Sequence, residues 1–287
     1  MLPNSSRLML AATLAMATSL VMSLTAAAIK YTAAFVSIEQ IVLVQYLVCV
    51  IVMLPWLWHK GPAVLKTQRP LLHLLRSAAG WLCFYTYYLA LDAIALVEAA
   101  LLRNAAPLCV PVLLLLWQGY RMPRLNWLPV LIGFSGIALV LKPQTGNLSG
   151  WHLVAFASAI TLAGSIVTTR MLTRSEPTNR ILFFYFSCSA IFSLPLAISH
   201  WQPIPLFTLP LMLGIGLSIW LTMWLYTRAY SYAKASVLSP ISYIGVLFTG
   251  LWGWIFWQQI PDIVALAGAI LIISGGIGSV YLGREKN

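Results

Sequence analysis

Arg103 stands in a long apolar stretch, residues 94–118, that also holds Glu98, Asn104, Pro107 and Pro111. A guanidinium in such a place has two chemical uses: it binds an anion or it pairs with a carboxylate. Nine helical residues put it about 13 Å from the nearer end of the stretch at 1.5 Å per residue, too deep for easy snorkelling. An arginine at that depth costs roughly 2.5–3.5 kcal/mol on insertion scales and demands compensation. Glu98, five positions earlier, lies about 140° round a helix from it and shares no face. Arg103 is therefore expected to meet an anionic group of a substrate, or else to join helices by pairing with Glu39 or Asp92. Glu98, one to two turns from the end, is a candidate proton carrier, because partial burial raises a carboxyl pKa towards the working range. Its alternative role is that of an interfacial acid. Asn104 adjoins the arginine as a further binding candidate, and Pro107 and Pro111 either free backbone carbonyls for a cavity or only kink the helix.

Aromatic residues form a second constellation. Trp81, Tyr85 and Tyr88 stand at i, i+4 and i+7, which is one helix face, and Trp220 and Trp224 repeat the spacing later. Such ladders either wall a cavity and stack on a planar or cationic ligand, or pack helices together. Ser158, Thr161, Ser165 and Thr168 make a small polar stripe, and Ser236, Ser239, Pro240 and Tyr243 make another. Stripes of this kind favour close helix packing; Tyr243 is the member whose buried hydroxyl needs a partner, and it joins the binding candidates. Cys49, Cys83, Cys109 and Cys188 sit in apolar runs with no C-x-x-C pair and no histidine at metal-ligand spacing, so no metal is expected. His59, His73, His152 and His200 fall at the ends of apolar runs and read as interfacial.

These groups need elements to hold them, and composition says which. The chain has 287 residues, 61% hydrophobic and 8% charged, against about 25% charged in soluble domains. That excludes a soluble enzyme, a nucleic-acid binder and a disordered chain. Hydropathy gives ten spans: 8–28, 38–58, 71–91, 94–118, 125–141, 151–172, 181–199, 207–228, 235–257 and 263–282. Arg7 and Ala26-Ala27-Ala28 imitate a signal peptide, but the first apolar run is longer than a usual signal core and reads as span 1. With alternating spans, one side collects Arg7, Lys60, Lys66, Arg69, Arg76, Arg121, Arg124, Arg170, Arg174, Arg180, Arg228, Lys234, Arg284 and Lys286, which is 14 of the 17 Lys and Arg. The positive-inside rule assigns that side, and both termini, to the cytoplasm. The net charge of +11 is then a topogenic signal and a contact with anionic lipid, with the Lys60–Arg76 and Arg170–Arg180 clusters in solvated loops.

The halves align at an offset of 139: Trp81 on Trp220, Tyr87 on Tyr226, Ala90 on Ala229, Gly136 on Gly275, with Tyr85 on Trp224. Five spans per half is an odd number, so the second half runs through the membrane inverted, an architecture of secondary transporters whose substrate site lies near the midplane.

Several stretches resemble the EamA-type permeases of the drug/metabolite transporter superfamily. Phe256-Trp257, Ile260-Pro261-Asp262, Gly268 to Ile272 and Ser274-Gly275 are similar to that family's closing helix pair. Tyr88 to Leu91, Glu98-Ala99-Ala100 and Pro107 resemble its helix 3–4 corner, and Gly133 to Gly136 with Lys142-Pro143 its helix 5. Gln118-Gly119-Tyr120 and Gln258-Gln259 stand where the family often has an acid, and Gln45 where it often has an arginine. The resemblance implies a ten-helix transporter with a central cavity and specifies no substrate.

The expectation is an all-α membrane protein of ten transmembrane helices in two inverted five-helix repeats, 1–145 and 146–287. It would be a monomeric, multi-pass secondary transporter of a small polar metabolite in the cytoplasmic (inner) membrane, with protons as candidate coupling ions. The alternative is an uncoupled facilitator or exchanger of the same fold. No P-loop or other nucleotide signature occurs, and scattered acids do not make an enzyme site; no cofactor and no nucleic-acid partner are expected. The expected substrate-site residues are Arg103, Asn104, Trp81, Tyr85, Tyr88, Trp220, Trp224 and Tyr243, with Glu98 for the proton.

Overall fold

In a computed structural model, residues 4–119, 127–141, 150–173, 175–232 and 243–282 are described. The expected sites Ser236 to Pro240, the Lys142-Pro143 pair and the basic residues Arg121, Arg124, Arg174, Lys234, Arg284 and Lys286 lie outside them. The described residues fold into helices α1 (Asn4–Ala33), α2 (Ile38–Lys60), α3 (Pro70–Ala93), α4 (Leu96–Arg103), α5 (Ala106–Gln118), α6 (Trp127–Leu141), α7 (Gly150–Leu172), α8 (Thr178–Ser199), α9 (Leu209–Tyr232), α10 (Ile244–Trp257) and α11 (Ile263–Leu282). Six spans are long and apolar enough to cross a membrane, one of them Leu96–Trp117 across α4 and α5, and α6, α10 and α11 contribute shorter apolar stretches. This is a multi-pass membrane protein. The 24-residue α3 is absent from both groups. His73, Arg76, Ser77 and three tyrosines make it the polar helix; His73, Arg76, Ser77, Tyr87 and Tyr88 are buried, while Leu71, Leu74, Leu75 and Leu82 are exposed.

Local chemistry sets the helix ends. Ser37 caps α2 by accepting from the Gln40 N–H, and the Gln40 amide donates on to the Gln202 carbonyl beyond α8. Gly61 ends α2 at φ 74° and Gly119 ends α5 at φ 62°, positive values that a residue without Cβ adopts freely, Gly119 in the left-handed helical conformation. Gln258 ends α10 in the same left-handed conformation, 139 positions after Gly119. Pro107 has no N–H to return to Arg103 four residues back, so the expected single fourth span is two helices, broken at Asn104 and Ala105. Arg103 thereby ends α4, where its charge complements the helix dipole.

The packing comes in matched pairs. α3 lies on α7 as α1 lies on α9; α2 lies on α9 as α3 lies on α8; α10 lies on α1 as α4 and α5 lie on α7. α2 meets α8, α4 meets α10 and α6 meets α11. The α6–α11 contact is backbone-close: a Cβ on Gly136 would stand 2.7 Å from the Gly268 carbonyl, and one on Gly275 2.5 Å from the Gly133 nitrogen.

Two rims close the bundle. At one end Lys30 donates from α1 to the Leu91 and Ile94 carbonyls at the end of α3, and Gln259 accepts from the Leu96 N–H. At the other, basic end, Glu176 before α8 accepts from Thr67 at 2.6 Å and pairs with Arg180 at 2.5 Å, while Arg180 also donates to the Val64 carbonyl. His73 lies 4.0 Å from the same carboxylate. His73 is 1% exposed and packs against the Phe184 ring, and His152 is buried too, so these two histidines are not interfacial, because each packs beside a carboxylate from the other half.

Burial alone would raise the Glu176 carboxyl, but the Thr67 hydroxyl, the Arg180 guanidinium and His73 outweigh it and hold the carboxyl below its ordinary value. A depressed folded pKa means stability that is present above the unfolded value, about 4.3, and lost as pH falls through the folded one. Thermal melts in detergent should therefore lose stability on acidification below about pH 4, and Glu176→Gln should flatten that loss while lowering the neutral-pH melt by an amount equivalent to about 1–3 kcal/mol.

Candidate functional site

α2 and α8 cross at the middle of the bundle through two buried tyrosines. The Tyr46 and Tyr185 hydroxyls are 2.9 Å apart, with ring centroids 5.6 Å apart and planes at 80°. The two residues are 139 positions apart, the offset that aligns the halves. Cys49, one turn along α2, donates to the Gly216 carbonyl of α9, and the matching Cys188 lies beside the Ser77 hydroxyl of α3.

On each side of this crossing lies a set of equivalent residues, and the two sets differ. Towards the basic end is a cleft of about 270 Å³ lined by Val52, Met53 and Trp56 of α2, Thr178, Asn179 and Leu182 of α8, and Trp220 and Trp224 of α9. Trp224 is 44% exposed. Subtracting 139 from the α8 and α9 residues gives Glu39, Gln40, Leu43, Trp81 and Tyr85; adding it to Met53 gives Phe192. That second set is filled. Trp81 stacks on Tyr85 at 5.4 Å and 6°, meets Phe192 edge-on at 5.9 Å, and donates from its indole to the Ser193 hydroxyl at 2.8 Å. Tyr85 donates to Glu39 at 2.9 Å. The chemistry of the difference is plain. Glu39 accepts from Tyr85, where its counterpart Thr178 has a shorter side chain; Ser193 accepts from Trp81, where its counterpart Leu54 has no polar side-chain atom.

The expected site residues thus divide among several places. Trp81 and Tyr85 form the filled wall, and Trp220 and Trp224 line the open cleft. Tyr88 turns away from Trp81, is fully buried and donates to the Gln45 side-chain carbonyl. Arg103 places its guanidinium carbon 5.2 Å from the Phe84 ring and 4.8 Å from the Tyr87 ring, beside the Cys83 thiol. Asn104 turns back on its own helix and donates to the Ala100 carbonyl at 2.8 Å. Tyr243 is buried with its hydroxyl over Gly276 of α11 and unpartnered among the described residues. Glu98 lies at the far end, 3.3 Å from His152 Nε2, which bridges α4 to α7. Arg76 corrects the reading of a solvated basic loop. It is 7% exposed, and its guanidinium lies 4.1 Å over the Tyr185 ring, because Gly80 leaves room for it one turn on.

The sequence reading passed over Tyr46, Tyr185, Ser193, Asn179 and Trp56. The tyrosine pair carried a signal: its members are 139 apart. Ser193 carried none, since one serine in an apolar helix is mostly a packing residue.

Comparison with known proteins fits this geometry. Residues 9–142 and 149–281 each match the model of the EamA-like transporter family. The pseudopaline exporter CntI of Pseudomonas aeruginosa is 31% identical over 228 residues, covering 79% of each chain. An S-adenosylmethionine uptake transporter of Rickettsia bellii is 25% identical over 80% of this chain and 79% of that one. A riboflavin transporter of Vibrio cholerae is 25% identical over 81% and 79%. A solved crystal structure superposes with a TM-score of 0.65 over 99% of this chain and 100% of that chain, at 18% identity, a likeness of fold.

The tyrosine crossing is open to a double-mutant cycle. Tyr46→Phe and Tyr185→Phe should each lower the melting temperature. Their combination should cost less than the sum, with a coupling of about 1 kcal/mol, because either change alone already removes the shared hydrogen bond.

Proposed function

Given that the chain belongs to the EamA-like transporter family, we propose that it carries a small polar metabolite across the cytoplasmic membrane by alternating access, as a monomer. In this reading ten spans form two inverted five-helix repeats, 1–145 and 146–287, with both termini and the basic end in the cytoplasm. The matched packing pairs, the Tyr46–Tyr185 crossing and the twin left-handed helix ends at Gly119 and Gln258 support the repeat. Asymmetry between equivalent clefts is the observation that carries alternating access. A cleft is open between α2, α8 and α9, while its counterpart is filled by Trp81, Tyr85 and Phe192 and clasped by Glu39 and Ser193. The conformation is then inward-open, and transport exchanges which cleft is filled.

Arg103 binds an anionic group of the substrate. It ends a broken helix in the bundle interior, and among the described residues no carboxylate pairs with it. A guanidinium resting on two rings, with one hydrogen bond to the Cys83 thiol and its buried Nε unpartnered among the described residues, retains donors for a planar anion, which lysine does not copy. Trp220 and Trp224 line the way in, and Glu98 with His152 carries a coupling proton. The relatives' named substrates, S-adenosylmethionine, riboflavin and pseudopaline, are small metabolites, and a cargo of that size class is proposed here. The reading of a non-enzyme rests on the same family.

Proteoliposomes offered a panel of small carboxylates and phosphate esters test this. At least one should accumulate under a proton gradient. Arg103→Lys should lower that uptake about tenfold or more, Arg103→Gln should abolish it, and Glu98→Gln should remove the gradient response while leaving exchange. Normal transport by Arg103→Lys, with lost expression of Arg103→Gln, would make the arginine a structural group. Flux indifferent to any gradient would favour an uncoupled facilitator.

A further inference from the structure

We propose that Arg76 is the second half of a two-point anion site, and that the carried molecule bears two acidic groups. The inference rests on the reading of Arg103 as an anion ligand and adds a partner to it. Gly80, Cys83, Phe84 and Tyr87 stand at i, i+3, i+4 and i+7, one face of α3. The Arg103 guanidinium lies against this face at Phe84 and Tyr87. The Arg76 guanidinium lies against it one turn lower, where a Cβ on Gly80 would stand 2.5 Å from Nη1. Gly80 and Phe84 differ by four residues, about 6 Å along the helix. The fully buried Cys83 lies within electrostatic reach of both cations.

Two like charges this close in an apolar bundle repel each other, and each has lost its water. The aromatic rings beneath them offset part of that cost, and among the described residues no carboxylate is placed against either cation. Of the chain's six acids, Glu39 accepts from Tyr85, Glu98 pairs with His152, Glu176 pairs with Arg180 and Asp262 accepts from the Ala265 N–H. Asp92 is exposed near Lys30, and Glu285 lies outside the described residues. Nε and Nη1 of Arg76, Nε of Arg103 and Nε2 of Gln45 are buried and have no hydrogen-bond partner among the described residues. Every one of these atoms is a donor. A ligand that satisfies them supplies acceptors at two points about one helical turn apart, as a diacid does and a monoacid or a cation does not.

The open cleft leads towards this pair. The open cleft's α8 residues Thr178, Asn179 and Leu182 continue on the same helix face to Tyr185, which carries Arg76 on its ring. Arg76 thus stands nearest the cleft floor and meets an entering anion first, with Arg103 behind it.

Thermal shift of the full-length protein in lipid-free detergent tests this, with succinate, glutarate and adipate as probes against butyrate at matched ionic strength. At least one diacid should stabilise the protein at about tenfold lower concentration than butyrate, the worth of one added charge-assisted contact. Arg76→Gln should move the diacid response to the butyrate level and leave the butyrate response in place; Arg103→Gln should weaken both. Gly80→Ala keeps both charges but crowds the Arg76 guanidinium and the Tyr185 ring beneath it, and it should weaken the diacid response alone. That variant and Arg76→Lys decide the matter if Arg76→Gln does not fold. Equal diacid and butyrate responses in the wild type, with butyrate still dependent on Arg103, would overturn the second anion point and spare the first. A diacid preference that survives Arg76→Gln and Gly80→Ala would also overturn it. A shift from added anionic lipid with none from any acid would overturn both points as a site for a free metabolite.

Discussion

The contact between Tyr46 and Tyr185 joins α2 to α8 in the centre of the bundle, and much of the structure is arranged around it. It pairs equivalent residues of the two halves, so it sits where the halves cross. Met53 and Leu182, which line the open cleft, stand about two turns and one turn from it along their helices, and Glu39 and Leu43 stand on its other side in α2. One of its rings carries the Arg76 guanidinium. A hydrogen bond between two hydroxyls can persist while the helices rock about it, because each hydroxyl is both donor and acceptor and can rotate to suit. In the proposed transport cycle, a hinge of this kind would let one cleft fill as the other opens.

Charge supplies the second constraint. The polar face of α3 is turned inward against its neighbours while its leucines Leu71, Leu74, Leu75 and Leu82 face outward, and the groups that make it polar are the groups the proposed transport needs. Its two flanking guanidiniums rest on aromatic faces, which offset part of the lost hydration without consuming N–H donors. Acids are kept at the rims: Glu176 fastens the basic end, Glu39 fastens the filled cleft and Glu98 meets His152. An interior rich in donors and free of carboxylates among the described residues is suited to an anionic cargo, and moving one of those acids inward would neutralise it.

Much of this was legible in the sequence. Composition and apolar runs gave a multi-pass helical protein, the family resemblance was correct, and the depth of Arg103 marked it as a residue that needs a partner. The offset of 139 was legible from Trp81 and Trp220, although it was not extended to Tyr46 and Tyr185. Other features could not be read one chain position at a time. Arg76 lies among basic loop residues in the sequence, and its inward turn depends on Gly80 and on a ring from α8. His73 and His152 stand at helix ends, yet each is covered by a segment from the other half. Tyr88 follows Trp81 and Tyr85 at the right spacing but meets Gln45, since seven residues drift off one line by about 20° and the neighbouring helix crosses at an angle. The open cleft was invisible because it is a difference between two equivalent places, set by Thr178 for Glu39 and Leu54 for Ser193.

The claim that these two places alternate can be measured at one pair of equivalent positions. Leu182→Cys in the open cleft and Leu43→Cys in the filled one are placed in a Cys188→Ser background, since the other native cysteines are buried, and reacted with a membrane-impermeant maleimide in sealed vesicles of each orientation. The account predicts labelling of Cys at 182 from the cytoplasmic side and none at 43. When Glu39→Ala and Ser193→Ala remove the clasp, it predicts labelling at 43 from the opposite side with a matching loss at 182. If position 43 opens while 182 stays fully reactive, the two clefts are independent and the alternating account is contradicted.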